Sequence, residues 1–178
     1  GERTNGDDGA GADVDRDAVL ADADTIYASP RSLYIAAHRY APALTQGSVP
    51  AGETTDIYRF DTSTRATSRY TGAGSVTGLV LNQFSLSEED GVLRVATTTQ
   101  PPWLPDGKQS EPSRSAVTTL KADGPGPLTQ LGRVDGLGTG ERIYAVRFIG
   151  DTGYVVTFRQ VDPLYTIDLS DPARPKVA

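Results

Sequence analysis

Four aspartates stand at the spacing of a calcium loop: Asp13, Asp15 and Asp17 alternate, and Asp24 lies eleven places after the first. An EF-hand uses that spacing because Ca2+ is held by a shell of oxygens, but it also needs glycine at the sixth place for a sharp turn and a bidentate glutamate at the twelfth. Here those places hold Ala18 and the shorter Asp24. A solvated acidic linker accounts for the pattern better, and no metal or other cofactor is expected.

His38 is the sole histidine, so any Ser-His-Asp arrangement confined to this chain would have to use it. No Gly-x-Ser-x-Gly elbow accompanies it, and a histidine at the end of a strand, half exposed at a rim, is the simpler reading. Gly136-Leu137-Gly138-Thr139-Gly140 has the glycine content of a phosphate loop. It lacks the following Lys-Ser/Thr pair and leads into a strand, so no helix N-terminus is available to hold an anion, and a turn between repeats is expected.

Glu88-Glu89-Asp90 could supply paired carboxylates for glycoside hydrolysis or hold a cation. Consecutive acids in a hairpin turn splay into water instead. Arg159 and Asp162, with Gln160 between them, are expected to hold a turn or bridge repeats, and Asp61 and Asp168 recur at one repeat position, which marks them as structural. No catalytic residue is therefore assigned. The binding candidate is Trp103, the single tryptophan, in the proline-rich loop Gln100-Pro101-Pro102-Trp103-Leu104-Pro105.

The elements that must position these residues are strands. Leu33-Tyr34-Ile35-Ala36 aligns with Leu93-Arg94-Val95-Ala96 and with Tyr154-Val155-Val156-Thr157, each after a turn, at a period of about sixty residues. A following strand reads Ile57-Tyr58-Arg59-Phe60-Asp61, then Val117-Thr118-Thr119-Leu120-Lys121, then Leu164-Tyr165-Thr166-Ile167-Asp168, with apolar first and fourth places. Two units close on a glycine-bearing element, Ser75-Val76-Thr77-Gly78-Leu79 and Arg133-Val134-Asp135-Gly136-Leu137, and the third is expected to lack it. The first strand of a unit is clearest at residues 142–149, where apolar residues on both faces suggest a strand covered from both sides.

Repeated antiparallel meanders of this kind are the blades of a β-propeller. The expected fold is all-β: about three four-stranded blades, the last incomplete, forming part of a larger propeller. Residues 1–20 read as an acidic flexible leader, residues 21–178 as the propeller segment, and the units fall at about 22–79, 80–138 and 139–178.

The blocks 24–34, 81–85 with 93–98, and 140–172 resemble a family of secreted bacterial and archaeal proteins with a C-terminal β-propeller distantly akin to WD40 repeats. The resemblance implies an extracellular or cell-surface location, an uncharacterised activity, and no catalytic residues to transfer. A full member is expected to carry further blades.

Composition agrees with a piece of something longer, since methionine is absent even at residue 1. Three blades fall short of the roughly four to eight that close a ring, so the remaining blades of a longer chain or a second copy of this chain are the expected partners. A net charge of −6 without a basic stripe argues against nucleic acid and anionic lipid. Absence of cysteine excludes disulfides and thiolate chemistry. No apolar run in this segment reaches the length of a membrane span.

Two functions fit. One is a binding or scaffold module for an extracellular protein, peptide or polysaccharide, without enzymatic activity. The other is a hydrolase-like enzyme whose active site lies on the propeller axis, built from several blades and mostly outside this chain. A pocket at the narrow end of the bundle of first strands, lined by several acids or His38, would favour the enzyme; a flat apolar rim would favour binding.

Overall fold

The structure is a computed structural model that describes residues 23–40, 52–64, 67–101, 109–158 and 163–178. Three antiparallel sheets, each a four-stranded meander in chain order, account for the strands among these residues. The first holds β1 (Ala23–Ala28), β2 (Ser32–Tyr40), β3 (Glu53–Asp61) and β4 (Arg69–Thr77). The second holds β5 (Leu86–Glu89), β6 (Val92–Thr99), β7 (Arg114–Lys121) and β8 (Thr129–Leu137), preceded by one turn of 3-10 helix at Gln83–Ser85. The third holds β9 (Arg142–Ile149), β10 (Thr152–Phe158), β11 (Leu164–Asp168) and a two-residue β12 (Lys176–Val177). The fold is thus all-β, as expected from the repeats.

Burial follows a stacking logic. One core cluster joins Tyr34, Ala36 and Ile57 of the first sheet to Leu93, Val95 and Leu120 of the second. Another joins Ala96 and Val117 of the second sheet to Val146, Val155 and Ile167 of the third. The middle sheet is therefore covered on both faces, which is why β6 and β7 read as continuous Val-, Thr- and Leu-rich runs rather than as alternating ones. Sheets on either side bury one face in these clusters.

Strand pairing fixes the phase of the repeat. Ser32 pairs with Asp61, Val92 with Lys121 and Thr152 with Asp168. Just beyond, the N–H groups of Thr62, Ala122 and Leu169 donate to the carbonyls of Arg31, Gly91 and Asp151. The third-strand alignment read from sequence keeps this phase in all three sheets. The second-strand alignment is off by one in the third sheet: Tyr154 corresponds to Tyr34 and Arg94, and Gly153 to Leu33 and Leu93. Gly153 looked like part of the turn, but it lies inside β10, where a side chain would press on the Phe148 ring at 3.2 Å.

Two further expectations are corrected. The strand at 142–149 is not covered on both sides: Ile143 and Val146 are buried, whereas Tyr144 is 71% and Ile149 67% exposed. It is the edge strand of a terminal sheet, with no other sheet against its outer side among the described residues. The third unit lacks the glycine-bearing ending, as expected, yet it does close on a fourth strand, the two-residue β12, which pairs with β11 through Val177 and Lys176.

Glycine sets the approach of neighbouring sheets. A Cβ on Gly72 of β4 would stand 1.8 Å from the carbonyl oxygen of Gly126, and one on Gly132 of β8 would stand 2.7 Å from that of Pro172. Gly72 pairs with Arg59 and Gly132 with Thr119, the same place in the repeat. At the first seam the loop after β7 hydrogen-bonds directly to the free edge of β4, with Gly126 N–H on Thr71 O at 2.7 Å and Leu128 N–H on Ala73 O at 2.9 Å.

Candidate binding clefts and the bonds that shape them

The β1–β2 and β5–β6 turns, the end of β3, the start of β4 and the loop after β7 enclose a cleft of about 550 Å³ between the first two sheets. Arg31, Arg59, Arg69, Glu88, Glu89 and Asp123 line it. Glu88 does not splay into water as its place beside a turn suggested. Its Oε2 accepts hydrogen bonds from Ser29 Oγ at 2.6 Å and Tyr34 Oη at 2.9 Å, and its backbone N–H donates to Tyr27 Oη at 2.9 Å. Burial first, and the neighbouring Glu88 charge second, push the Tyr34 hydroxyl pKa upward, so it remains a donor across the neutral range. Asp90 is the exposed member of the triplet and holds a positive φ of 49° in the hairpin.

Glu89 turns toward the other side of the sheet. It pairs at 2.9 Å with Arg94, whose side chain is 6% exposed. Arg94 also donates to Ser87 Oγ at 2.7 Å and across the sheet boundary to Gly150 O at 2.6 Å, and its guanidinium lies 5.4 Å from the Phe148 ring centroid. These acceptors and the ring replace most of the water of the buried guanidinium, while its Nε is buried without a hydrogen-bond partner. Both carboxylates are thus engaged by groups of the fold, Glu88 through Ser29 and Tyr34 and Glu89 through Arg94. Arg59 closes the cleft floor by donating to Ser32 Oγ at 3.2 Å and to Gly124 O at 2.8 Å.

A second cavity, of about 430 Å³, opens beside the first strands of the three sheets. It is lined by Tyr27 of β1, Leu86 and Ser87 of β5, Arg147 and Phe148 of β9, and Phe84 of the 3-10 turn. The Arg147 guanidinium sits 3.9 Å from the Phe84 ring centroid. Asn82 holds that turn by accepting the Phe84 N–H at 3.0 Å.

The remaining candidates fall into place as follows. Asp24 Oδ2 accepts the His38 backbone N–H at 2.6 Å, and His38 Nδ1 lies 3.7 Å from the same oxygen, which ties the histidine into the first sheet. Asp61 and Asp168 each accept the N–H of the serine two places on, Ser63 at 2.8 Å and Ser170 at 3.0 Å. Hydrogen bonding to those serines holds both carboxyls below the ordinary aspartate range. The run 136–140 spans the end of β8 and the turn into β9, with Gly136, Gly138 and Gly140 at positive φ. Trp103, Asp13, Asp15, Asp17, Arg159, Gln160 and Asp162 lie outside the described residues. Among those described, no group of three or more acids and histidines could hold a metal ion, and no helix is long and apolar enough to cross a membrane.

Sequence reasoning missed the pairing of Tyr34 and Arg94 as equivalent cross-sheet donors. The signal was present in the aligned motifs, where a tyrosine and an arginine share one place amid aliphatics.

Comparison with known proteins adds four observations. An uncharacterised protein of Methanocaldococcus jannaschii is 43% identical over 105 residues, covering 59% of this chain and 15% of the relative. An uncharacterised protein of Archaeoglobus fulgidus is 44% identical over 106 residues, covering 60% of this chain and 15% of the relative. The chain thus spans a small part of the curated relatives it matches, and no solved structure matches it. The family model for the beta propeller domain matches residues 7–178, which takes in all three sheets, and the chain belongs to that family.

Proposed function

We propose that the chain is a scaffold and binding module of a secreted or surface-associated protein, taking an extracellular peptide, protein or polysaccharide as ligand. The carrying observation is the lining of the cavity beside the first strands. An axial hydrolase would place carboxylates or His38 there, whereas this cavity presents Tyr27, Phe84, Arg147 and Phe148. Aromatic faces and a guanidinium bind sugar rings, peptide side chains and anionic groups without bond-breaking chemistry. The loop bearing Trp103 is a second recognition surface in this reading.

Screening the purified chain against immobilised oligosaccharide and peptide libraries tests it. Phe84→Ala and Arg147→Ala should each weaken a retained ligand by about tenfold, in keeping with loss of a central aromatic or arginine contact. Turnover of ester or glycoside reporter substrates, abolished by those same changes, would instead establish the enzyme.

A further inference from the structure

Charge is distributed unevenly between the two cavities. The larger cleft sets five carboxylates against three guanidiniums, so an anion entering it meets acids on its walls. The cavity beside the first strands is lined by one ionised side chain, Arg147, and by no carboxylate. It is a positive point in a chain of net charge −6. A ligand in contact there is governed by that local sign, because exposed charges more than about 10 Å away are largely screened.

Arg147 is held in place for an acceptor that the described residues do not supply. Its guanidinium lies 3.9 Å from the Phe84 ring centroid, and Nη1 donates to the Val146 carbonyl at 2.6 Å. No carboxylate pairs with it among the described residues, which leaves the Nε and Nη2 hydrogens without an acceptor there. These two form the side-on edge that a carboxylate grips with both oxygens. Neutral hydrogen-bonding groups share the lining. Ser87 Oγ accepts from Arg94 at 2.7 Å and Tyr27 Oη accepts the Glu88 N–H at 2.9 Å, yet neither hydroxyl has an acceptor for its own proton among the described residues. Gln83 adds an exposed amide.

We propose that this cavity binds a uronate residue of an acidic polysaccharide, its carboxylate on the free edge of Arg147, its ring against the aromatic side chains and its hydroxyls on Ser87 and Gln83. The assignment rests on the reading of this cavity as a ligand site and names the chemistry of the ligand. A uronate joins one negative charge, an apolar ring face and several hydroxyls in one unit, which is the mixture the lining offers. The carboxylate of a peptide terminus is captured instead by a nest of backbone N–H groups, which needs a residue at positive φ. None of the lining residues has one. A phosphate dianion would leave one charge unmatched by the single guanidinium.

Calorimetric titration of the full chain with trimers of galacturonate, glucuronate and mannuronate, with their methyl esters, and with a peptide ending in a free phenylalanine carboxylate is the test. At least one uronate trimer should bind, and its methyl ester, which keeps the ring and removes the charge, should bind about tenfold more weakly or worse. Arg147→Lys, which keeps the charge and loses the fork, should also cost about tenfold in affinity while leaving the melting temperature unchanged. Equal affinity for acid and ester would overturn the proposal, as would tighter binding of the peptide or failure of every uronate trimer to bind at millimolar concentration. In those cases a neutral sugar or peptide that binds the chain and is released by Phe84→Ala would leave the binding-module reading standing. Absence of any such ligand would remove both.

Discussion

The hydroxyl of Tyr34 donates to Glu88 Oε2 at 2.9 Å across 54 residues of sequence. This bond joins the second strand of one sheet to the first strand of the next. It is polar, directional and buried at the donor end, so it specifies how the two sheets align as well as holding them together.

Tyr34→Phe should destabilise the chain by about 1–2 kcal/mol, the cost of removing a partner from a partly buried charged acceptor. In a denaturant double-mutant cycle with Glu88→Gln, the two changes should be non-additive. Strict additivity would show that the bond contributes nothing specific. The Tyr34 pKa is raised above the 10.0 of an unperturbed tyrosine. Its contribution is therefore complete below that pH and is lost as pH rises through the higher native value. Absorbance titration should find one tyrosine that ionises only as the fold opens.

Arg94→Ala should cost about 1–3 kcal/mol, because the packing and bonds of a buried guanidinium are lost while Glu89, Ser87 and the Gly150 carbonyl, none of them buried, can regain water. Arg94→Lys should not restore stability fully, since an ammonium cannot present the planar fork that reaches both sides. Urea unfolding of the three proteins checks both statements.

Ile57→Ala and Leu164→Ala test the same repeat position in two settings. The first removes a fully buried side chain and should cost about 2–5 kcal/mol. The second, on the bare face of the 178-residue chain, should stay within about 0.5 kcal/mol. Equal costs would mean that the third sheet's outer face is covered in that chain.

Asp61 and Asp168 predict an acid limb. Hydrogen bonds from the serines two residues on hold their native pKa values below that of an ordinary aspartate. A lowered native pKa gives stability that is complete above the unfolded value and is lost as pH falls through the native one. Ser63→Ala with Ser170→Ala should flatten the decline of melting temperature below about pH 4. An unchanged profile would remove these turns from the account of acid sensitivity.

Much of the architecture was legible because strand alternation and turn residues repeat. Phe60, Leu120 and Ile167, read as one position, are all buried. The alignment slipped at Gly153 because glycine usually punctuates a turn, and here it makes room for an aromatic ring within a strand. Glu88 was misread for a related reason: its neighbours in sequence signal a turn, while its partners Ser29 and Tyr34 lie 59 and 54 residues away. The pocket formed by Phe84 and Arg147 also escaped notice, since the two meet only through tertiary packing.

The loop that lays Gly126 and Leu128 along β4 has a further effect. Unsatisfied strand borders template fibre growth, and many proteins guard them with lysine or proline. Here the protecting element is a stretch of the following repeat, admitted by the missing side chain of Gly72. Resistance to polymerisation at this rim is thus inseparable from correct folding of the neighbouring unit.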